Sequence, residues 1–278
     1  MERINESLNR EREKYGRNVI INAWFVRHGE KGLSTNTAET TLTEGGKKKS
    51  SEFGKKFLKQ DMIKSYSSDT DRTKETARLI VDNSPTTEKG VQRIQDELAF
   101  HYDPKGNFTK EVMRIKKETL GDDFEKLDAK DKQERIAQSD CLQNEYYLNF
   151  SDRRPDPKTY SPVETAALLA KRLSVYMNMT EKLCSGSKID LVNTSHDFSL
   201  TAFLHEVILR EVDGKKVRGF NNIVEIGGPI EFNEAFNVCI TTNEQGIKSY
   251  KLFFRGTEYV LDDDRLEELG RMADDIKD

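Results

Sequence analysis

Residues 18–32 read "NVIINAWFVRHGEKG". Val19 to Val26 form a continuous β-favouring run, the pattern of a strand covered on both faces, and such strands are central strands of parallel sheets. The run stops abruptly at Arg27, His28 and Gly29, with Glu30 next. A cation, an imidazole and a glycine add no packing at the end of a core strand, so they point to a site.

The remaining chain repeats the theme of strand followed by helix. A helix is expected near Thr43, with Glu44 at its positive end and Phe53 and Phe57 stacked four apart; Lys47 to Lys49 read as its solvated face. "IKSYSSD" is a second strand and turn, and "DTDRTKETARLIV" a helix with Thr73, Thr76, Ala77 and Ile80 along one side. "VQRIQ" is a third strand. From about 105 to 150 the composition shifts to dense charge with sparse apolar residues, which suits surface helices in a cap insertion of about 105–155. Pro155 and Pro157 keep the return loop out of a helix.

"SPVE", residues 161–164, is a complete helix start, and Ala166, Ala167, Ala170, Leu173 and Met177 make the apolar stripe behind it. "KIDLVNTSHDFSLTAFLHEVIL" repeats the opening pattern, with Leu200, Phe203, Leu204 and Val207 on one helix side. "AFNVCITTNEQGIKSYKLFFRG" reads as a hairpin. The sum predicts an α/β fold: a three-layer sandwich with a mainly parallel central sheet, helices on both faces, a helical cap and a C-terminal β-hairpin. Residues 1–17 are expected to be a polar N-terminal extension and 18–278 a single domain.

Bulk properties exclude several function classes. The net charge of −4 has both signs interspersed, which gives no support to a nucleic-acid surface. No apolar run approaches the ~18 residues of a membrane span, and the first residues lack the apolar core of a signal peptide. Cys141, Cys184 and Cys239 are odd in number and widely spaced, as ordinary thiols of a reducing compartment are. With 34% charged residues and a mean hydropathy of −0.77, a soluble cytoplasmic protein without nucleic-acid or membrane partners is expected, its oligomeric state left open.

In open α/β sheets, ligands collect beyond the carboxyl ends of the strands. Three expected strand ends carry unusual polar groups: Arg27-His28-Gly29, then "SSDTDR" with Arg72, then Ser195-His196-Asp197. Helices start just after the second and third, so their amide-rich ends can face the same space. Two arginines, two histidines and helix termini describe a receptacle for a dianion, and planar guanidinium forks match phosphoryl oxygens in pairs.

"FVRHGE", "TLTEGGKKKSSEFGKKF", "SYSSDTDRTKETARLI" and "NTSHDFSL" together resemble the histidine phosphatase superfamily, of phosphoglycerate-mutase-like fold. The resemblance covers residues 19–82 closely and 159–205 more loosely. It implies a metal-independent enzyme without cofactor, acting on a small phosphomonoester, with His28 as the nucleophile that becomes a phosphohistidine. Arg27, Arg72 and His196 would then grip the phosphoryl oxygens, where charge accumulates. The proton for the leaving alkoxide would come from Asp197, which follows the second histidine as in the acid-phosphatase branch. The first motif, however, lacks that branch's Arg-His-Gly-x-Arg-x-Pro pattern, having Lys31 and Gly32, and its flanks are mutase-like. Asp96 or Glu97 in "RIQDELAFH" is therefore the alternative donor.

Two rival functions use the same residues, a phosphomutase and a non-catalytic phospholigand-binding protein. His101 and His205 carry no motif and read as structural. Lys31, Ser34 and Asn36 sit where mutase-like proteins contact substrate, although a polar loop has the same composition. "GGPIE", 227–231, reads as a turn before the hairpin more readily than as a phosphate-contacting loop.

Overall fold

A computed structural model describes residues 14–32 and 39–276. The expected N-terminal extension up to residue 13, together with Ser34 and Asn36, lies outside the described residues. The chain divides into two compact units. One comprises the chain up to Leu98 with Lys171–Ser195 and Phe232–Val260; the other comprises Ala99–Ala170, His196–Glu231 and the chain from Leu261.

The first unit is built on a sheet. β1 (Ile20–Arg27) runs parallel to β4 (Lys188–Ser195), which is parallel to β2 (Met62–Ser67), and β2 is parallel to β3 (Arg93–Ile94). On its other side β1 is antiparallel to β7 (Ala235–Thr242), followed by β8 (Lys248–Phe254) and β9 (Thr257–Leu261), all antiparallel. The order is β3-β2-β4-β1-β7-β8-β9. The sheet is therefore mixed, which corrects the expectation of a mainly parallel one. Tight turns reverse the chain after β7 and β8, and strands joined by such turns can only pair antiparallel. In the first turn Asn243 Oδ1 accepts the N–H groups of Gln245 and Ile247, both at 2.9 Å.

Two helices cover the β1–β2 region. α1 (Glu44–Lys55) starts at Thr43, whose Oγ1 accepts the Gly46 N–H at 3.0 Å. α2 (Asp71–Asn83) buries Thr73, Thr76, Ala77 and Ile80, the side read from the sequence. Phe53 of α1 and Phe57, just beyond the helix end rather than on it as the sequence suggested, pack on Trp24, with Val26, Ile63, Ile80, Val81 and Val192 in the same cluster. The opposite face of β1 is apolar, with Ile21, Ala23 and Phe25 fully buried.

The second unit holds α3 (Asn107–Leu120) and α4 (Ala129–Leu148) in the charged region. They enclose an aromatic cluster of Phe108 and Tyr147 with Phe100, Tyr146, Phe150 and Phe198. α5 (Pro162–Met179) opens with the reciprocal bonds of a capping box. Glu164 N–H donates to Ser161 Oγ at 3.1 Å, and Ser161 N–H donates to Glu164 Oε2 at 2.9 Å. α6 (Asp197–Val207) buries Leu200, Phe203, Leu204 and Val207.

A hairpin, β5 (Ile208–Val212) and β6 (Lys215–Arg218), and a last helix, α7 (Asp263–Asp275), were not anticipated. The hairpin strands, ILREV and KKVR, are charged and mostly exposed, so they lack the alternation that marks a half-buried strand. Among the described residues no helix is long and apolar enough to cross a membrane.

Candidate active site

The last residues of β1 are held by their backbone from both neighbours. His28 N–H donates to Ser195 O at 3.1 Å, Arg27 N–H to Glu234 O at 2.9 Å, and Asn233 N–H to Arg27 O at 3.1 Å. The strand thus leaves His28 at the sheet's edge with little freedom to move, and its side chain is only 4% exposed.

The ring is held at both nitrogens. Nδ1 lies 2.8 Å from Gly29 O, and Arg72 Nε lies 3.3 Å from Nε2. A guanidinium has no acceptor, so its N–H must donate, and Nε2 must present a lone pair. The carbonyl of Gly29 can only accept, so the ring proton belongs on Nδ1. The donor logic on the two sides agrees: a neutral imidazole with its basic nitrogen turned toward Arg72.

Arg72 is the second residue of α2 and is buried. Thr76, one turn on, couples it to the histidine loop. Its hydroxyl donates to Arg72 O at 2.7 Å and accepts the Gly29 N–H at 2.9 Å, so both its donor and an acceptor position are used. Arg27 is buried with its guanidinium 4.1 Å above the Phe232 ring, and the His28 ring is 5.7 Å from the same phenyl. A cation on an aromatic face is favoured by roughly 0.5–2 kcal/mol and loses mobility there.

The "LTEGG" motif has a packing explanation. Thr43 N–H donates to Glu30 O at 2.9 Å and its hydroxyl to Glu30 Oε2 at 3.1 Å. Gly46 lies so close to the Glu30 backbone that a Cβ there would collide with its carbonyl oxygen and lie 2.9 Å from its nitrogen. Gly29 faces the same helix: a Cβ would sit 2.9 Å from Ser50 Oγ and 3.2 Å from Gly46 O. The glycines therefore let α1 and the His28 loop touch backbone to backbone.

Asp96 and Glu97 form a single 3₁₀ turn with Leu98, whose carbonyl accepts Ser195 Oγ at 2.7 Å. Ser195 therefore ties that turn and the His28 backbone to one strand end. Arg27, His28, Arg72, Asp96 and Glu97 all belong to the first unit.

His196 and Asp197 belong to the second unit, although His196 is joined directly to Ser195 at the end of β4. His196 is the N-cap residue of α6 and is buried. Asp197 opens the helix, where a carboxylate complements the helix dipole. Its Oδ2 accepts Asn144 Nδ2 at 2.7 Å and its Oδ1 accepts Thr201 Oγ1 at 3.2 Å. Cys141 of α4 has its thiol pushed up to about 11, first by burial, then by the neighbouring Glu145 and Asp197 charges, so it is no thiolate nucleophile at neutral pH.

The other residues singled out from sequence have plain packing roles. His101 stacks on Tyr160 at 4.5 Å, and His205 lies edge-on to Phe220 with Nδ1 3.2 Å from Glu206 Oε1. Gly227 and Gly228 both adopt left-handed backbone, φ 90° and 94°, as a turn requires. Lys31 pairs by its backbone with Leu42. Sequence reasoning missed the part that Phe232, Asn233, Thr76 and Asn144 play in holding Arg27, Gly29, Arg72 and Asp197 from distant segments. Only the apolar residue closing "GGPIEF" hinted at Phe232.

Residues 23–137 match the family model described as histidine phosphatase superfamily, branch 1. No curated protein matches the chain at a significant level. Among solved structures the chain is similar to a phosphoglycerate mutase from Bacillus anthracis, with 16% identity over 91% of this chain and 98% of that one, at a TM-score of 0.46. It is also similar to a putative alpha-ribazole-5'-P phosphatase from Escherichia coli, with 14% identity over 85% and 97% and a TM-score of 0.45. A mycobacterial glucosyl-3-phosphoglycerate phosphatase gives 13% identity over 86% and 100%, with a TM-score of 0.47. The sequence match to that family model spans Arg27, His28 and Arg72.

Proposed function

We propose that the protein is a metal-independent phosphomonoesterase that works through a phosphohistidine at His28 on a small phosphorylated substrate. The observation that carries this reading is the state of the His28 ring. Nδ1 is bonded to Gly29 O, and Nε2 is a lone-pair nitrogen beside the Arg72 guanidinium. In the first step the Nε2 lone pair turns from Arg72 to phosphorus and forms the N–P bond. The P–O bond to the leaving group breaks, and the departing alkoxide takes the proton of Asp197. Arg27 and Arg72 then serve the phosphoryl oxygens together with His196, as fixed cations and donors where charge builds up. In the second step water attacks phosphorus, the Asp197 carboxylate takes its proton, the N–P bond breaks and phosphate leaves. The charged helical insertion of about 105–155 acts as the cap that selects the leaving group, and neither nucleic acid nor membrane is a partner.

A second reading of the donor has its own support. The Asp96–Leu98 turn is bonded through Leu98 O to Ser195, the residue whose carbonyl holds the His28 N–H. Glu97 or Asp96 is therefore the rival acid. A phosphomutase would use the same pocket and return the phosphoryl group to the organic ligand.

The test is a panel of phosphomonoesters with wild type, His28→Ala and Asp197→Asn, following both free phosphate and isomerised product. A phosphatase releases phosphate and loses all activity in His28→Ala. Isomerised product without phosphate identifies the mutase. Binding of inorganic phosphate with no turnover of any ester from pH 4 to 8 identifies a non-catalytic binder.

A further inference from the structure

Asn144 is 1% exposed on α4, and both hydrogens of its amide are committed. One goes to Asp140 O at 2.8 Å, the other to Asp197 Oδ2 at 2.7 Å. Its own carbonyl oxygen is buried and has no hydrogen-bond partner. Turning the amide over would not relieve this, because Oδ1 would then face two acceptors, the Asp140 carbonyl and the Asp197 carboxylate. The amide therefore has one usable orientation, and in that orientation it can only donate to Asp197.

Packing does not account for the choice of residue. A leucine, of the same branched shape, would bring no orphaned amide oxygen into the buried position. What an apolar residue cannot do is hold a carboxyl group in one rotation. Asn144 fixes Oδ2 and Thr201 fixes Oδ1, so the plane of the carboxyl is set from two elements. Both bonds are of the kind that a carboxylate accepts more strongly than a neutral carboxyl group.

We infer that Asn144 is a positioning residue for proton transfer: it aligns the Asp197 carboxyl group and stabilises the carboxylate left when Asp197 gives up its proton. The inference rests on the reading of Asp197 as the proton donor. A donor that stabilises the conjugate base matters most when the leaving group is a poor one, because only then is protonation well advanced in the transition state. For nitrophenyl phosphate, whose leaving group departs as a stable anion, it matters little.

The experiment compares Asn144→Leu, Asp197→Asn and the double variant on an alkyl phosphate and on p-nitrophenyl phosphate. Asn144→Leu is expected to lose about 10-fold or more in kcat on the alkyl ester, with KM little changed, and less than about 3-fold on the nitrophenyl ester. The double variant should be no slower on the alkyl ester than Asp197→Asn alone, because Asn144 acts through that carboxyl group. Equal losses on the two esters, no loss on either, or losses that multiply in the double variant would each overturn the inference. If Asp197→Asn itself shows no selective loss on the alkyl ester, the reading of the donor fails, and the inference fails with it. A selective loss in Asp197→Asn without one in Asn144→Leu sinks the inference alone. Asn144→Ala carries the same comparison should the leucine variant not fold.

Discussion

Arg72 donates its Nε–H to Nε2 of His28 across 3.3 Å, a bond from α2 to the imidazole itself. It sets the tautomer, and it keeps a guanidinium next to the nitrogen proposed to attack phosphorus. A lysine would retain the charge but not the planar fork, nor a donor fixed in direction. Arg72→Lys is therefore expected to fold normally and to lose about 10²–10³ in kcat, the usual cost of removing one preorganised donor to a developing charge. Steady-state kinetics beside a thermal melt checks both halves.

Two glycines separate packing from positioning. A Cβ on Gly46 would strike the backbone of Glu30, two residues after His28, whereas a Cβ on Gly54 would strike the backbone of Ile80 in α2. Neither obstacle is a flexible side chain, so both alanine variants should lose about 1–3 kcal/mol of stability. Activity per folded molecule should fall in Gly46→Ala and stay near wild type in Gly54→Ala. Denaturant melts with kinetics at a temperature where both variants are folded make the comparison.

Asp190 gives a pH dependence of stability. It is buried on β4, its Oδ1 accepts Asn22 Nδ2 at 3.0 Å and Trp24 Nε1 at 3.3 Å, and its Oδ2 has no hydrogen-bond partner. Burial raises its pKa against the lowering effect of those two donors. A carboxyl group with a raised folded pKa binds its proton more tightly in the native state, so its contribution to stability falls as pH rises above the unfolded value of about 3.9. Asp190→Asn should accordingly match wild type near pH 4 and exceed it at pH 7.5, by on the order of 1 kcal/mol. Urea unfolding of both proteins across that range reads the difference, and a gap that shrinks with rising pH would contradict it.

The two candidate donors make opposite predictions. If Asp197 protonates the leaving group, Asp197→Asn should be slow on alkyl phosphates yet much less impaired on nitrophenyl phosphate, and Glu97→Gln should show no such split. If the acid lies on the Ser195-linked turn, the split moves to Glu97→Gln or Asp96→Asn. Leaving-group dependence of kcat across the three variants decides between them.

Much of the first unit was legible because its signals are local. An unbroken apolar strand ending in Arg27 and His28, a Thr43 cap with its glycines, and a Thr-Ala-Ile stripe on α2 each follow from a few adjacent residues. The capping box at Ser161 and Glu164 was legible for the same reason. The direction of β7 against β1 was not, because pairing partners distant in sequence leave no periodic trace. Thr76, Phe232 and Asn144 were missed for a related reason. Each looks like an ordinary helix or loop residue until folding brings it to Gly29, Arg27 or Asp197.

The central claim is that His28 Nε2 takes the phosphoryl group. It is tested most directly by mixing enzyme with a ³²P-labelled phosphomonoester, quenching in alkaline denaturant within milliseconds, and locating the label by mass spectrometry. A base-stable, acid-labile label is expected on His28, formed and lost fast enough to lie on the reaction path, with no label in His28→Ala. A label on another side chain, or phosphate release at an undiminished rate by His28→Ala, would contradict it.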